Sequence, residues 1–189
     1  VQITGSSAAD FSLSTITDDI GCLEPDTIQE VGGDVMFLAP DGVRTLSSTE
    51  RIGDFGLDVT SKNIRPTLNK QKATATSFSS LVIREKAQYR LFSYASTERA
   101  NVAKGVLATK FVDQGGQGFQ WAELKGYKVY VCDSILVDDT ELVYFANEDG
   151  YVYKQEVGAN RDGGSIDAIF ESAYMPINDP QIRKTFYKL

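Results

Sequence analysis

Several short stretches bring together side chains that could do chemistry. Asp18-Asp19 and Asp138-Asp139 are adjacent carboxylates, and paired carboxylates are what acid–base cleavage of a glycosidic bond uses. Such a pair must face across a cleft, whereas neighbours on a strand point to opposite faces, so adjacency alone argues for turns. Asn160-Arg161-Asp162-Gly163-Gly164-Ser165-Ile166-Asp167 offers oxygen ligands to a calcium ion. It lacks the EF-hand spacing and the bidentate Glu, so a structural turn is the simpler reading. Gln114-Gly115-Gly116-Gln117-Gly118 is glycine-rich like a phosphate-cradling loop, but has neither the Lys-Ser/Thr pair nor the following helix of a P-loop. Trp121 with Tyr127, Tyr130, Tyr144, Tyr151 and Tyr153 could line a sugar-binding surface. Core and cross-strand packing explains the same rings more cheaply.

The chain contains no histidine, which removes Ser-His-Asp and Cys-His catalysis and imidazole metal sites together. The expectation is a protein that is not an enzyme, with no catalytic, metal or cofactor residues. Cys22 and Cys132 stand far apart, and Cys132 falls in a strand-like run, so two reduced thiols are expected rather than a disulfide framework. A net charge of −7 argues against gripping nucleic acid or an acidic membrane by phosphates. It leaves room for a surface past which DNA moves without sticking.

The elements that must position these residues read as strands. The densest run is residues 121–157, where Lys128 to Val137, Leu142 to Ala146 and Tyr151 to Val157 follow Trp121-Ala-Glu-Leu124. β-Branched and aromatic residues fill the runs, with Gly126, Asp138-Asp139 and Asn147-Glu-Asp-Gly150 between them. About four antiparallel strands in some 40 residues is the size of one β-propeller blade. Val35-Met-Phe-Leu-Ala-Pro-Asp-Gly-Val43 aligns without a gap on Val143-Tyr-Phe-Ala-Asn-Glu-Asp-Gly-Tyr151, which suggests repeated blades.

Elsewhere, residues 1–20 fit one strand or an extended lead-in. Further strands are expected at 81–84, 88–94, 102–112 and from Ile166 onward. Residues 51–80 are the least regular. Thr60 to Arg65 could make one helical turn before Pro66 stops it, and the polar stretch that follows reads as an insertion or arm. No convincing amphipathic helix is expected, and the class is all-β. The 189 residues suit one domain, or one with a piece of a second. No apolar run reaches the ~18–20 residues of a membrane span. The start, VQITGSSAADF, has no basic flank, apolar segment or initiating Met, and the end stops in strand-like sequence, so the chain reads as a piece entered partway.

Five stretches in order carry a family resemblance: GGDVMFLAPDGVRTL, QYRLFSY, GFQWAELKG, ELVYFANEDGYVYKQE with its DGGSI loop, and DPQIRKTFYKL. Over about residues 28–189 the chain resembles the tail nozzle, or tubular tail, proteins of short-tailed bacteriophages. The resemblance implies a virion structural protein built as a β-propeller of four-stranded antiparallel blades, with residues 1–178 in the propeller and 179–189 opening a following β domain or linker. It also implies made-in-host-cytoplasm assembly into a homohexameric tube in the phage tail. Tail adaptor and tail fibre or spike proteins would be its neighbours, with DNA passing through the channel unbound and no membrane insertion. A carbohydrate-binding or adhesive β-propeller module is the alternative.

Overall fold

The computed structural model describes residues 2–15, 20–52, 59–99, 103–113 and 116–166. The chain falls into two compact units, Val1–Glu156 and Val157–Leu189. The first holds strands β1 (Gln2–Thr4), β2 (Ser12–Ser14), β3 (Gln29–Val31), β4 (Asp34–Ala39), β5 (Gly42–Thr45), β6 (Ser77–Ile83), β7 (Gln88–Tyr94), β8 (Lys104–Asp113), β9 (Gly116–Lys125), β10 (Val131–Val137), β11 (Thr140–Ala146) and β12 (Val152–Lys154). Its helices are α1 (Leu46–Ile52) and α2 (Arg65–Thr74). The second unit holds the short hairpin β13 (Asn160–Arg161) and β14 (Gly164–Ser165). The fold is mainly β, every pairing is antiparallel between consecutive strands, and no described sheet closes on itself.

Three meanders, β3–β5, β6–β9 and β10–β12, make up the body of the first unit. In the four-stranded β6–β9 sheet, β6 and β7 are buried on both faces, and the alternation of β7 shows how. Tyr89 and Leu91 join Phe78, Val82, Val106 and Ala108 in a core shared with Val31, Met36, Leu38 and Val43 of the β3–β5 sheet. On the opposite face Leu81, Ile83 and Phe92 pack with Cys132 and Val143 of the β10–β12 sheet. The sheets therefore stack in chain order, with β6 lying against both β3 and β10.

Several expectations need correcting. Residues 121–157 do not form one sheet: Trp121 to Lys125 belong to β9, and the chain crosses to another sheet before Val131. Gly126, at φ +83°, starts that crossing. The helical turn expected over residues 60–65 is present as a 3-10 turn at Lys62–Ile64, but Pro66 does not stop it; Pro66 lies in the first turn of α2, where its missing N–H has no intrahelical acceptor to lose. Residues 65–83 are α2 followed by β6, not an arm. The opening residues make a hairpin, with Ile3 opposite Leu13, rather than a single strand. The two aligned hairpins also differ in their turns: Ala39 pairs with Gly42 across Pro40-Asp41, whereas Ala146 pairs with Val152 across residues 147–151. Both are nonetheless the hairpin between the second and third strands of a three-stranded meander. The strand expected beyond Ile166, the proline breaks and residues 179–189 lie outside the described residues.

Candidate functional site: a polar cleft under a helix

One face of the four-stranded sheet changes character along its length. Tyr89, Leu91, Val106 and Ala108 belong to its apolar core. The next residues on that face are Ser93 of β7 and Lys104 of β8, with Glu123 of β9 opposite Val106. α2 roofs this polar end, presenting Thr67, Lys70, Gln71 and Thr74, whose i, i+3, i+4, i+7 spacing puts them on one side of a helix. Leu68 of the same helix is fully buried in the apolar core. Between roof and floor lies a cleft of about 360 Å³, lined also by Ala95, Thr97 and Glu98. That is the size of a small-molecule site.

Part of this lining is already engaged. Thr67 Oγ1 donates to Glu123 Oε1 at 2.8 Å, and Lys125 Nζ lies 3.4 Å from Glu123 Oε2. The Thr67 hydrogen bond and the lysine charges hold the Glu123 carboxyl below its ordinary value. Ser93 Oγ donates to the Lys104 carbonyl at 3.1 Å. Gln71 differs: it is 4% exposed, and neither Nε2 nor Oε1 of its amide finds a partner among the described residues. Buried amides are hydrogen-bonded in the great majority of cases, so this one calls for an explanation.

The residues singled out from sequence are not brought into the cleft. Asp138 and Asp139 stand at φ +47° and +60° between the paired Val137 and Thr140, as a type I′ turn requires. Asp162 and Gly163 do the same between Arg161 and Gly164, with the Gly163 N–H donating to Asn160 Oδ1 at 3.1 Å. Gly116–Lys125 is a strand, so most of the glycine-rich stretch is sheet, and Gly118 lies under the Phe111 ring opposite it. Asp18-Asp19 and Asp167 lie outside the described residues. Among the described residues no three His, Cys, Asp or Glu side chains gather as a metal ion would need.

The aromatic residues divide. Trp121 packs on the core and its Nε1 donates to the Thr60 carbonyl at 2.8 Å. Tyr127 meets Phe145 edge-on at 6.1 Å, and Tyr153 stacks on Phe145 at 5.1 Å. Tyr130 packs edge-on against Tyr94 at 4.8 Å, while Tyr94 and Lys128 both hydrogen-bond the Glu148 carboxylate. Tyr144 belongs to the outer face of the β10–β12 sheet together with Val131, Ile135, Val137 and Val152. These four aliphatic residues are exposed, Val152 by 72%, so the sheet presents an apolar face to solvent. Both cysteines are free, Cys22 exposed and Cys132 buried.

Sequence reasoning missed Lys70, Gln71, Glu98 and Lys104. The signal was the helical spacing of Thr67, Lys70, Gln71 and Thr74, masked because those residues are all polar. No family model matches this chain, and neither the curated proteins nor the solved structures yielded a match.

Proposed function

We propose that this chain is a virion structural protein: a β-propeller segment of a tail nozzle from a short-tailed bacteriophage, assembling with copies of itself, as a hexamer, into the conduit for genome ejection. The observation that supports it best is the stack of three meanders in chain order, with β3, β6 and β10 running beside one another. Successive propeller blades pack face to face in this way, and β6–β9 has the four strands of a full blade. The exposed apolar face of β10–β12 has the character of a surface that another sheet covers. The net charge of −7 suits a conduit that repels the DNA backbone.

The native mass of the protein, with negative-stain images of the same sample, tests this reading. Rings or tubes of about six copies are expected, and Ile135→Lys on the apolar sheet face is expected to dissolve them. A monomer that persists across concentrations and with tail partners present overturns the nozzle reading. The carbohydrate-binding module is the second reading, favoured by the polar cleft and by Tyr130 and Tyr151, which are 55% and 67% exposed.

A further inference from the structure

We propose that the cleft between α2 and the β7–β9 end of the sheet binds a small hydroxylated monocarboxylate, of the kind a sugar acid presents. This stands whether or not the chain belongs to a tail nozzle. Charge sets the class of ligand. The lining holds Lys70, Lys104, Glu98 and Glu123, and Lys125, 3.4 Å from Glu123, offsets that carboxylate. Lys70 and Lys104 form no ion pair among the described residues, and lysine is a point charge suited to a carboxylate oxygen. The remaining carboxylate, Glu98, accepts from hydroxyl groups and disfavours a doubly charged anion. The excess of a single positive charge therefore matches one carboxylate.

Polar groups set the rest. Among the described residues no aromatic ring lines the cleft, so a neutral sugar finds no stacking platform from them. The Gln71 amide supplies a donor and an acceptor that the protein itself leaves unused. Both atoms are closed to solvent as the side chain stands, so a ligand engages them once the Gln71 side chain turns towards the cleft. Thr97 adds a hydroxyl at the rim.

Titration of the full chain with D-glucuronate, followed by amide NMR shifts, tests the proposal, with glucose, acetate and inorganic phosphate as comparators. Glucuronate is expected to shift residues 70–74 and 95–98, with glucose and acetate leaving them in place at equal concentration. The Lys70→Gln/Lys104→Gln double variant, altered only at solvent-reaching side chains, is expected to bind at least tenfold more weakly with an unchanged Tm. Gln71→Leu is expected to lose affinity while Tm holds or rises, since it removes an unsatisfied buried amide. Equal shifts with acetate or phosphate would show a simple anion only and overturn the assignment. So would the absence of glucuronate binding, or glucuronate binding indifferent to the lysine and Gln71 variants.

Discussion

Arg90 Nη1 lies 2.8 Å from Glu156 Oε1, and this pair ties the middle strand of the four-stranded sheet to the segment that leaves β12. The Arg90 side chain is 9% exposed, and its other nitrogens bond Gln88, with Nη2 at 3.0 Å from Gln88 Oε1. Lys86 reaches the same Glu156 carboxylate, and Gln155 Oε1 accepts from Arg90 Nη1 at 3.1 Å. Removing one partner of a fully buried pair costs about 3–5 kcal/mol. Glu156 keeps 38% of its side chain in solvent, so the loss is smaller. Glu156→Gln is expected to destabilise by about 1–2 kcal/mol at pH 7 in urea unfolding. An unchanged midpoint would show that the pair contributes nothing.

The same carboxylate gives a pH dependence of definite sign. Burial pushes the Glu156 carboxyl up, but hydrogen bonds from Lys86 and Arg90 outweigh it and hold it below its ordinary value of 4.5. A depressed folded value adds stability above the unfolded value, which is lost as pH falls through the folded one. The gap between wild type and Glu156→Gln is therefore expected to be full at pH 7 and to close below pH 4.5. Urea midpoints measured at pH 7, 4.5 and 3 check this; a gap that widens in acid contradicts it.

Gly105 faces Phe92 across the ladder, and a Cβ there would stand 2.7 Å from Phe92 Cδ1 and 2.9 Å from the Leu91 carbonyl oxygen. The ring could shift, but the backbone oxygen of a central strand has little freedom to yield. Gly105→Ala is expected to cost about 1–3 kcal/mol. In a chain of this length that lowers Tm by about 2–4 °C for each kcal/mol, readable by thermal denaturation.

Cys132 and Cys22 are expected to part company towards thiol reagents. Burial raises the Cys132 thiol to about 12, against a hydrogen bond with Ser79 that lowers it. Cys22 is exposed. The thiolate is the reactive form, so a disulfide reagent at pH 8 should label a single thiol per folded chain and a second only in denaturant. Rapid labelling of both in buffer would mean that the interface between the sheets β6–β9 and β10–β12 opens readily.

Much of the sheet core was legible from sequence because its physics is local. The alternation of Tyr89, Leu91 and Ser93 against Arg90, Phe92 and Tyr94 marks the two faces of β7, each buried against a different sheet. Which sheet a strand joins was not legible. Gly126 marks the break between β9 and β10, but the two strands read as neighbours in one sheet, and only tertiary packing places them in different ones. The cleft was hidden for a related reason. α2 buries Leu68 but otherwise faces the sheet with polar residues, so it carries little of the apolar periodicity by which helices are recognised. Pro66 carries the opposite meaning at a helix start from the one it has inside a helix.

The Asp138-Asp139 pair yields a test of backbone strain in the turn. Both residues stand at positive φ, joining β10 to β11 through a connection that Gly fits better than any residue with a Cβ. Asp139→Gly relieves that conformation, although glycine gives up more chain entropy on folding. The gain is expected to be about 0.5–1 kcal/mol, seen as a raised urea midpoint. Asp139→Val should lower it by a comparable amount, because a β-branched side chain fits poorly at positive φ. Midpoints unchanged in both variants would show that the turn holds no strain at Asp139.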